Sequence, residues 1–188
     1  DVPLVVSEML ELLRISISKH ATIETRLGKG LPPVRGNPAQ IQQVVMNLCT
    51  NAVQAMGEEG VLQVKLQRCA IGATPNLLHG VLTAGDYARL DVVDTGEGIP
   101  PEVLTRIFDP FFTTKQGGDG TGLGLSVVHG IVSDLRGGID IRSTPNVGTI
   151  VSIWLPIAGD VEAMTASTAA EWPRGDGEVV MFVDDERP

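Results

Sequence analysis

Apolar and polar positions follow two different periods along this chain, and each period predicts a type of element. In residues 22–27, inward-facing positions alternate with charged ones, a period of two that is typical of a half-buried strand. In residues 122–135, Leu123, Val127 and Ile131 recur every fourth position, which predicts an amphipathic helix. Applied to the whole chain, the same criteria predict an alternation of helices and strands.

The predicted helices cover 3–14, 37–56 and 122–135, and the predicted strands cover 22–27, 61–69, 87–94, 139–143 and 147–155. A long loop lies between the predicted strand 87–94 and the last predicted helix, which two more strands follow. This order of elements predicts an α/β fold, a two-layer sandwich in which a mixed, mostly antiparallel sheet carries its helices on one face.

The helix over 37–56 has the clearest start signal. Asn37 suits the N-cap, Pro38 suits the first helical position, and Gln40 stands where a capping box needs it. An apolar stripe then runs along one side of the helix, through Ile41, Val44, Val45, Leu48 and Ala52.

Two segments have loop composition. Residues 95–121 are rich in Gly, Pro and Thr, with one short helical stretch near 101–107, and a connection of this length is typical of a functional lid or a disordered segment. Residues 158–177 have the composition of a linker, and 178–188 begin with one more strand that ends in acidic residues. We therefore expect one domain over 1–157, a linker over 158–177, and the first strand of a further domain of a longer protein over 178–188.

Composition narrows the function classes. The chain has 188 residues, 43% of them hydrophobic, which is ordinary for a globular protein, and 14 Lys and Arg against 23 Asp and Glu give a net charge of −9. An acidic surface repels nucleic acids and anionic membranes, so we expect neither as a partner. Cys49 and Cys69 are too few for a disulfide scaffold or a zinc site, and both are expected to be buried. No apolar run reaches the ~18 residues of a membrane span, and no signal peptide opens the chain, so a cytoplasmic location is expected.

Asn47 and Asn51 form the first candidate functional pair. Residues four apart lie on one line of a helix, and this line borders the apolar stripe of the 37–56 helix. Amide oxygens suit Mg²⁺, which keeps several waters and is shared with substrate phosphates. Two solvated asparagines on a helix would give the same pattern.

Asp94 opens the second candidate segment, Asp-Thr-Gly-Glu-Gly-Ile-Pro, directly after a predicted strand. A carboxylate at a strand end can accept a hydrogen bond from an exocyclic amine such as that of adenine. Gly96 and Gly98 would let the backbone approach a flat base. An ordinary turn is the alternative interpretation.

The third segment, 107–115, reads Ile-Phe-Asp-Pro-Phe-Phe-Thr-Thr-Lys and holds three of the four phenylalanines of the chain. Phenylalanines are unusual in a solvated loop, and they predict an apolar anchor that docks and releases, with Lys115 available to a phosphate. A loop that is simply pinned to the core would also explain them.

The fourth segment is Gly120-Thr-Gly-Leu-Gly-Leu125, which leads into a helix. Glycines at a helix N-terminus expose several amide donors at the positive end of the helix dipole, which favours anions. The pattern is neither a Walker phosphate loop nor a dinucleotide fingerprint.

Taken together, these segments resemble the N, G1, F and G2 boxes of the ATPase superfamily that joins DNA gyrase, a heat-shock chaperone, mismatch-repair ATPases and histidine kinases. The boxes correspond to residues 47–52, 94–98, 108–112 and 120–125, and the resemblance covers about 1–157. It implies the Bergerat-type ATP-binding fold, with ATP and Mg²⁺ as ligands.

The resemblance also implies roles for particular residues. Asn51 would bind Mg²⁺, Asn47 and Lys115 would act at the phosphates, and Asp94 would hold adenine. Gly96 and Gly98 would lie behind the base, Thr149 near it, and Gly120, Gly122 and Gly124 would shape the phosphate loop. Further candidate nucleotide contacts are Ile99, Phe108, Thr121, Leu123 and Leu125.

One position separates the branches of this superfamily. Hydrolytic members have Glu four residues before the Mg²⁺-binding Asn, whereas this chain has Asn47, which cannot serve as a general base. The Phe-rich box and the wording of residues 107–115 also resemble histidine kinases, especially those of the nitrogen-regulator and hybrid type, which transfer the γ-phosphate to a histidine. A hydrolytic ATPase of the same fold, or a module that senses nucleotide without chemistry, are the alternatives.

The phosphoacceptor is expected on another domain. None of His20, His79 and His129 has the helical His-Glu/Asp setting of an acceptor, and His129 is expected to pack within its helix. The family implies a separate dimerisation domain that carries the acceptor. Residues 178–188 resemble the first strand of a receiver domain, so a receiver domain in cis or a response regulator is an expected partner.

Overall fold

The computed structural model describes residues 2–16, 20–34, 36–72, 77–114 and 121–157. The predicted linker 158–177 and the receiver-like residues 178–188 lie outside the described residues, as do Lys115 and Gly120. The helices are α1 (Val2–Ser16), α2 (Pro38–Met56), α3 (Pro101–Leu104) and α4 (Gly124–Asp134). The strands are β1 (His20–Leu27), β2 (Glu59–Ile71), β3 (Gly85–Asp94), β4 (Gly138–Thr144) and β5 (Gly148–Pro156).

Five strands form one mixed sheet in the order β1-β2-β3-β5-β4. β1 and β2 are parallel because α2 carries the chain back between them, and the three remaining pairs are antiparallel. α1, α2 and α4 bury their apolar sides against the same face of the sheet, in a single core that includes Leu48, Leu62, Leu90 and Ile153. The predicted two-layer α/β sandwich is confirmed.

α2 begins where the sequence predicts. The Asn37 side chain accepts a hydrogen bond from the Ala39 amide at 2.9 Å, and the Gln40 side chain accepts one from the Asn37 amide at 3.4 Å, which completes the capping box. The buried side of the helix is the predicted stripe with Cys49 added. Burial raises the pKa of the Cys49 thiol to about 12, so this thiol is inert at neutral pH.

Two predicted bounds and one predicted burial need correction. The helical stretch near 101–107 is a single turn, Pro101–Leu104, and α4 begins at Gly124, two residues later than predicted. The delay arises because the Gly122 carbonyl accepts the Phe111 amide at 3.0 Å and so belongs to the preceding loop. Cys69 is only half-buried, because it lies in the outer part of the long β2 strand.

The other face of the sheet carries a small second cluster. Leu82, Tyr87 and Trp154 are buried together under the connection between β2 and β3. That connection also pairs with the sheet, since His79 and Ile139 exchange two backbone hydrogen bonds of 3.0 and 2.9 Å. His79 is thereby fixed beside β4. Within the described part of the chain, no helix is long and apolar enough to cross a bilayer.

Candidate functional site

A cleft of about 380 Å³ opens between α2, the sheet, the start of α4 and the loop after β3. Its size lies in the range of small-molecule sites. Ten of the residues predicted from sequence line it: Asn47, Asn51, Asp94, Gly98, Ile99, Thr121, Gly122, Gly124, Leu125 and Thr149. Segments far apart in the sequence thus meet in one site.

Asn47 and Asn51 face the N-terminus of α4. Both side chains are half-buried at the edge of the apolar stripe of α2, as their spacing predicts. The Asn47 side-chain amide donates to the Gly124 carbonyl at 3.3 Å. A methyl group placed on Gly124 would lie 3.6 Å from the Asn51 Nδ2 atom and 3.7 Å from Oδ1, so Asn51 lies directly against the first residue of α4.

The N-terminus of α4 forms the wall of the cleft opposite these asparagines. The first amides of a helix have no partner within it, and Leu123, at the N-cap of α4, supplies no side-chain capping bond to them. The Thr121 hydroxyl accepts from the Leu123 amide at 3.4 Å. Amides without a helical partner, at the positive end of an eleven-residue helix, suit a phosphate group.

Asp94 ends β3 at the other end of the cleft and is 7% exposed. Burial raises the pKa of its carboxyl group, and hydrogen bonds from the backbone amides of Gly96 and Thr149 act in the opposite direction. The Gly96 amide lies 2.9 Å from Oδ1. A buried carboxylate held by two amides is a fixed hydrogen-bond acceptor, which suits an amine of a bound ligand.

The glycines after β3 have a packing role that the sequence pattern does not reveal. A methyl group on Gly96 would lie 2.5 Å from the Ala55 carbonyl oxygen, and one on Gly98 would lie 2.2 Å from the Thr144 carbonyl oxygen. Gly98 also has φ of +68°, in the left-handed region. Gly98 lines the cleft whereas Gly96 does not, because Gly96 is buried against the end of α2.

The phenylalanine segment divides between two environments. Phe112 lines the cleft, with the Arg106 guanidinium 4.5 Å from its ring centre. Phe108, a predicted nucleotide contact, lies outside the cleft lining, because its ring packs 4.5 Å from His79 and 5.3 Å from His129, centre to centre. His129 therefore packs, as its place in the helix predicts. Leu123 also lies outside the cleft lining and is 37% exposed.

Several cleft residues carry no motif in the sequence. Val92, Ile141 and Val151 form an apolar floor, and their spacing marks them only as strand core. Ala55 continues the helical line of Asn47 and Asn51, and this line is the signal that could have found it. Among the described residues, no group of three or more His, Cys, Asp or Glu side chains is placed to hold a metal ion.

The fold and the cleft define the class of this protein as an ATP-binding domain of the histidine kinase type. The structure is similar to the catalytic domain of the histidine kinase ThkA, with a TM-score of 0.64 and 29% identity over 81% of this chain and 90% of that one. It is also similar to the mycobacterial sensor histidine kinase MprB, with a TM-score of 0.63 and 25% identity over 81% of this chain and 91% of that one.

Residues 36–159 match the model of the family described as histidine kinase-, DNA gyrase B- and HSP90-like ATPases, and the chain belongs to this family. The sensor kinase CckA of Brucella abortus is 38% identical over 83% of this chain and 16% of its own length. The sensory histidine kinase/phosphatase NtrB of Proteus hauseri is 35% identical over 81% of this chain and 42% of its own length. The chain thus spans less than half the length of these relatives.

Proposed function

We propose that this chain is the catalytic domain of a two-component sensor histidine kinase and transfers the γ-phosphate of ATP to a histidine on a separate dimerisation domain. The observation that carries the proposal is the amide at position 47. Asn47 lies beside the start of α4, where the phosphates of a nucleotide would be held.

Among the residues that the structure describes, none at the phosphate end of the cleft can act as a base. Among the described residues that line the cleft, the carboxylates are Asp94, which ends β3, and Glu97, which lies in the loop after β3. The side chains next to Gly124 are the amides Asn47 and Asn51, which cannot take a proton from water at neutral pH. An imidazole nitrogen brings its own lone pair, so it can attack the phosphorus without such a base, and the bond to ADP breaks as the new one forms.

The remaining residues position the nucleotide in this proposal. Asp94 accepts a hydrogen bond from the adenine amine, with Thr149, Gly98 and Ile99 around the base. The amides from Thr121 to Leu125 hold the phosphates, as phosphoryl transfer depends chiefly on position and charge neutralisation. Lys115 and Gly120, which lie outside the described residues, are assigned to the phosphates from the sequence alone.

Asn51 is the residue we propose to hold Mg²⁺. Its amide oxygen fits this ion, which commonly binds through one or two protein ligands, several waters and the phosphates of the substrate. When bound, the ion neutralises charge on the phosphates. Asn51 lies against Gly124, so its amide is next to the amides proposed to hold those phosphates.

The wider setting is also proposed. We infer a catalytic domain over 1–157, a linker over 158–177 and the start of a receiver domain over 178–188. The partners would be the histidine-bearing dimerisation domain and a receiver domain in cis or a response regulator. A cytoplasmic location fits these partners, and the similarity to sensor kinases supports them.

Labelled ATP tests this proposal directly. The purified chain is incubated with Mg²⁺ and γ-labelled ATP, alone and with a separately produced dimerisation domain of the same protein. We expect label on the added domain only, and loss of the label in acid, which marks phosphohistidine. Asn51→Ala should abolish transfer, and Gln43→Ala, an exposed amide on the same helix, should not.

Two results would contradict the proposal in different ways. Continuous release of inorganic phosphate without label on the added domain would identify a hydrolytic ATPase. Stoichiometric label on the chain alone would mean that one of its own histidines is an acceptor.

A further inference from the structure

Ser143 lies directly behind the proposed adenine site without lining the cleft. It is the second-last residue of β4 and pairs with Thr149 of β5 in the register of the sheet. Thr149, in turn, pairs with Asp94 of β3 and donates its backbone amide to the Asp94 carboxylate. One row across three strands thus connects Ser143 to the carboxylate proposed to hold adenine.

The Ser143 hydroxyl has three partners, and their chemistry decides where its proton lies. The Ile99 amide lies 2.7 Å from Oγ, the Gly148 carbonyl oxygen 3.1 Å and the Thr149 hydroxyl oxygen 2.8 Å. A serine hydroxyl has one proton and two lone pairs, an amide only donates and a carbonyl only accepts. All three bonds form only if Ser143 donates to Gly148 and accepts from both Ile99 and Thr149.

This assignment fixes the hydroxyl of Thr149 as well. Its single proton is donated to Ser143, so towards the cleft the Thr149 oxygen offers only lone pairs. Asp94 beside it is also an acceptor. The end of the cleft therefore presents two acceptors, which match the two protons of the adenine amine and repel the carbonyl oxygen that guanine has at the same ring position.

We infer that Ser143 is a positioning residue that holds Thr149 as an acceptor and thereby sets the preference for adenine over guanine nucleotides. The inference rests on the proposed adenine site at Asp94. Without the Ser143 oxygen, the Thr149 hydroxyl is free to turn and donate, and a donor at this place accommodates guanine. The Ser143 hydroxyl also holds the Ile99 amide, so its loss affects the loop behind the base.

The test is the ratio of the dissociation constants of ATP and GTP, measured by calorimetry. For Ser143→Ala we expect ATP affinity to fall about three- to tenfold, as for the loss of one hydrogen bond, while GTP affinity stays or rises. Ser143→Thr keeps the hydroxyl and should keep the ratio. A purely structural role predicts equal losses for both nucleotides, and that result would overturn the inference.

Thr149→Val provides a second test, at the other end of the hydrogen bond between Ser143 and Thr149. Removing the Thr149 acceptor should lower the affinity for ATP and leave the affinity for GTP unchanged or higher. Adding Ser143→Ala in this background should not change the ratio of the two dissociation constants further. Equal loss of ATP and GTP in Thr149→Val would contradict the inference. A wild-type chain that binds neither nucleotide would contradict the proposed function itself, whereas ATP binding with an unchanged ratio in all variants would contradict only the role of Ser143.

Discussion

Gly98 is the position at which packing and ligand binding make different predictions. A methyl group there would lie 2.2 Å from the Thr144 carbonyl oxygen and 2.8 Å from its carbon, which are backbone atoms that cannot rotate away. The Thr144 carbonyl also accepts the Val147 amide at 3.1 Å in the turn between β4 and β5. The Gly98→Ala variant must therefore move this turn as well as adopt a φ of +68°.

The expected loss of stability in Gly98→Ala can be divided into its causes with two matched controls. Gly30 has the same φ of +68° with no atom within 4 Å of an added methyl group, so Gly30→Ala measures the backbone cost alone, about 1–2 kcal/mol. Gly98→Ala adds an overpacking cost of about 1–3 kcal/mol, for a total of about 2–5 kcal/mol. Gly130 lies in α4 with free space, and Gly130→Ala should stabilise by about 0.5–1 kcal/mol.

Urea unfolding of the three variants gives these free energies, and calorimetry gives their ATP affinities. We expect Gly98→Ala to lose clearly more stability than Gly30→Ala. If the two variants lose the same amount, the contact with Thr144 is not a constraint. If Gly98→Ala keeps its stability and loses only ATP affinity, the glycine serves the approach of the base, as the sequence alone suggests.

Three further predictions concern the metal, the loop and pH. Asn51→Ala should weaken ATP binding in Mg²⁺ and matter much less in excess chelator, and equal losses in both conditions would mean a structural role. ATP should slow amide exchange in residues 99–114 more than in the helix 38–56, because the former are mostly loop and order around the nucleotide if they form a lid. Uniform protection with and without ATP would contradict a lid. Burial, and secondarily the charge of neighbouring His129, lower the pKa of His79 below 6.5. The unfolded chain then binds this proton more readily, so the contribution of His79 to stability is fully present above pH 6.5 and is lost as the pH falls from 6.5 through its lowered pKa in the folded chain. His79→Gln should flatten that profile, and an unchanged slope would refute this cause.

Local signals in the sequence predict most of the fold. The start of α2 is specified by Asn37, Pro38 and Gln40, whose side chains and backbone form the predicted capping box within three residues of one another. The row from Asn47 to Asn51 follows from the helical period alone. Such features depend on neighbours in the sequence, and the structure confirms them.

Features that depend on distant segments could not be predicted. The contacts of Gly96 with Ala55 and of Phe108 with His79 join segments whose relative position only the folded sheet sets. The same holds for Ser143, which has no motif around it and acquires its three partners through strand register. The alternation of apolar and polar positions in the sequence identifies residues such as Ser143 as part of a strand, but it does not show which of them lie behind a cleft.

The proposed recognition of ATP depends first on the Asp94 carboxylate. It is tested most directly by titrating the wild-type chain, Asp94→Asn and the exposed control Asp134→Asn with ATP and with purine riboside triphosphate, which lacks the amine. We expect Asp94→Asn to lower the affinity for ATP about 5- to 150-fold and to leave the affinity for purine riboside triphosphate nearly unchanged. The control variant should bind both nucleotides as the wild type does. Equal losses for both nucleotides, or no loss for ATP, would contradict the claim.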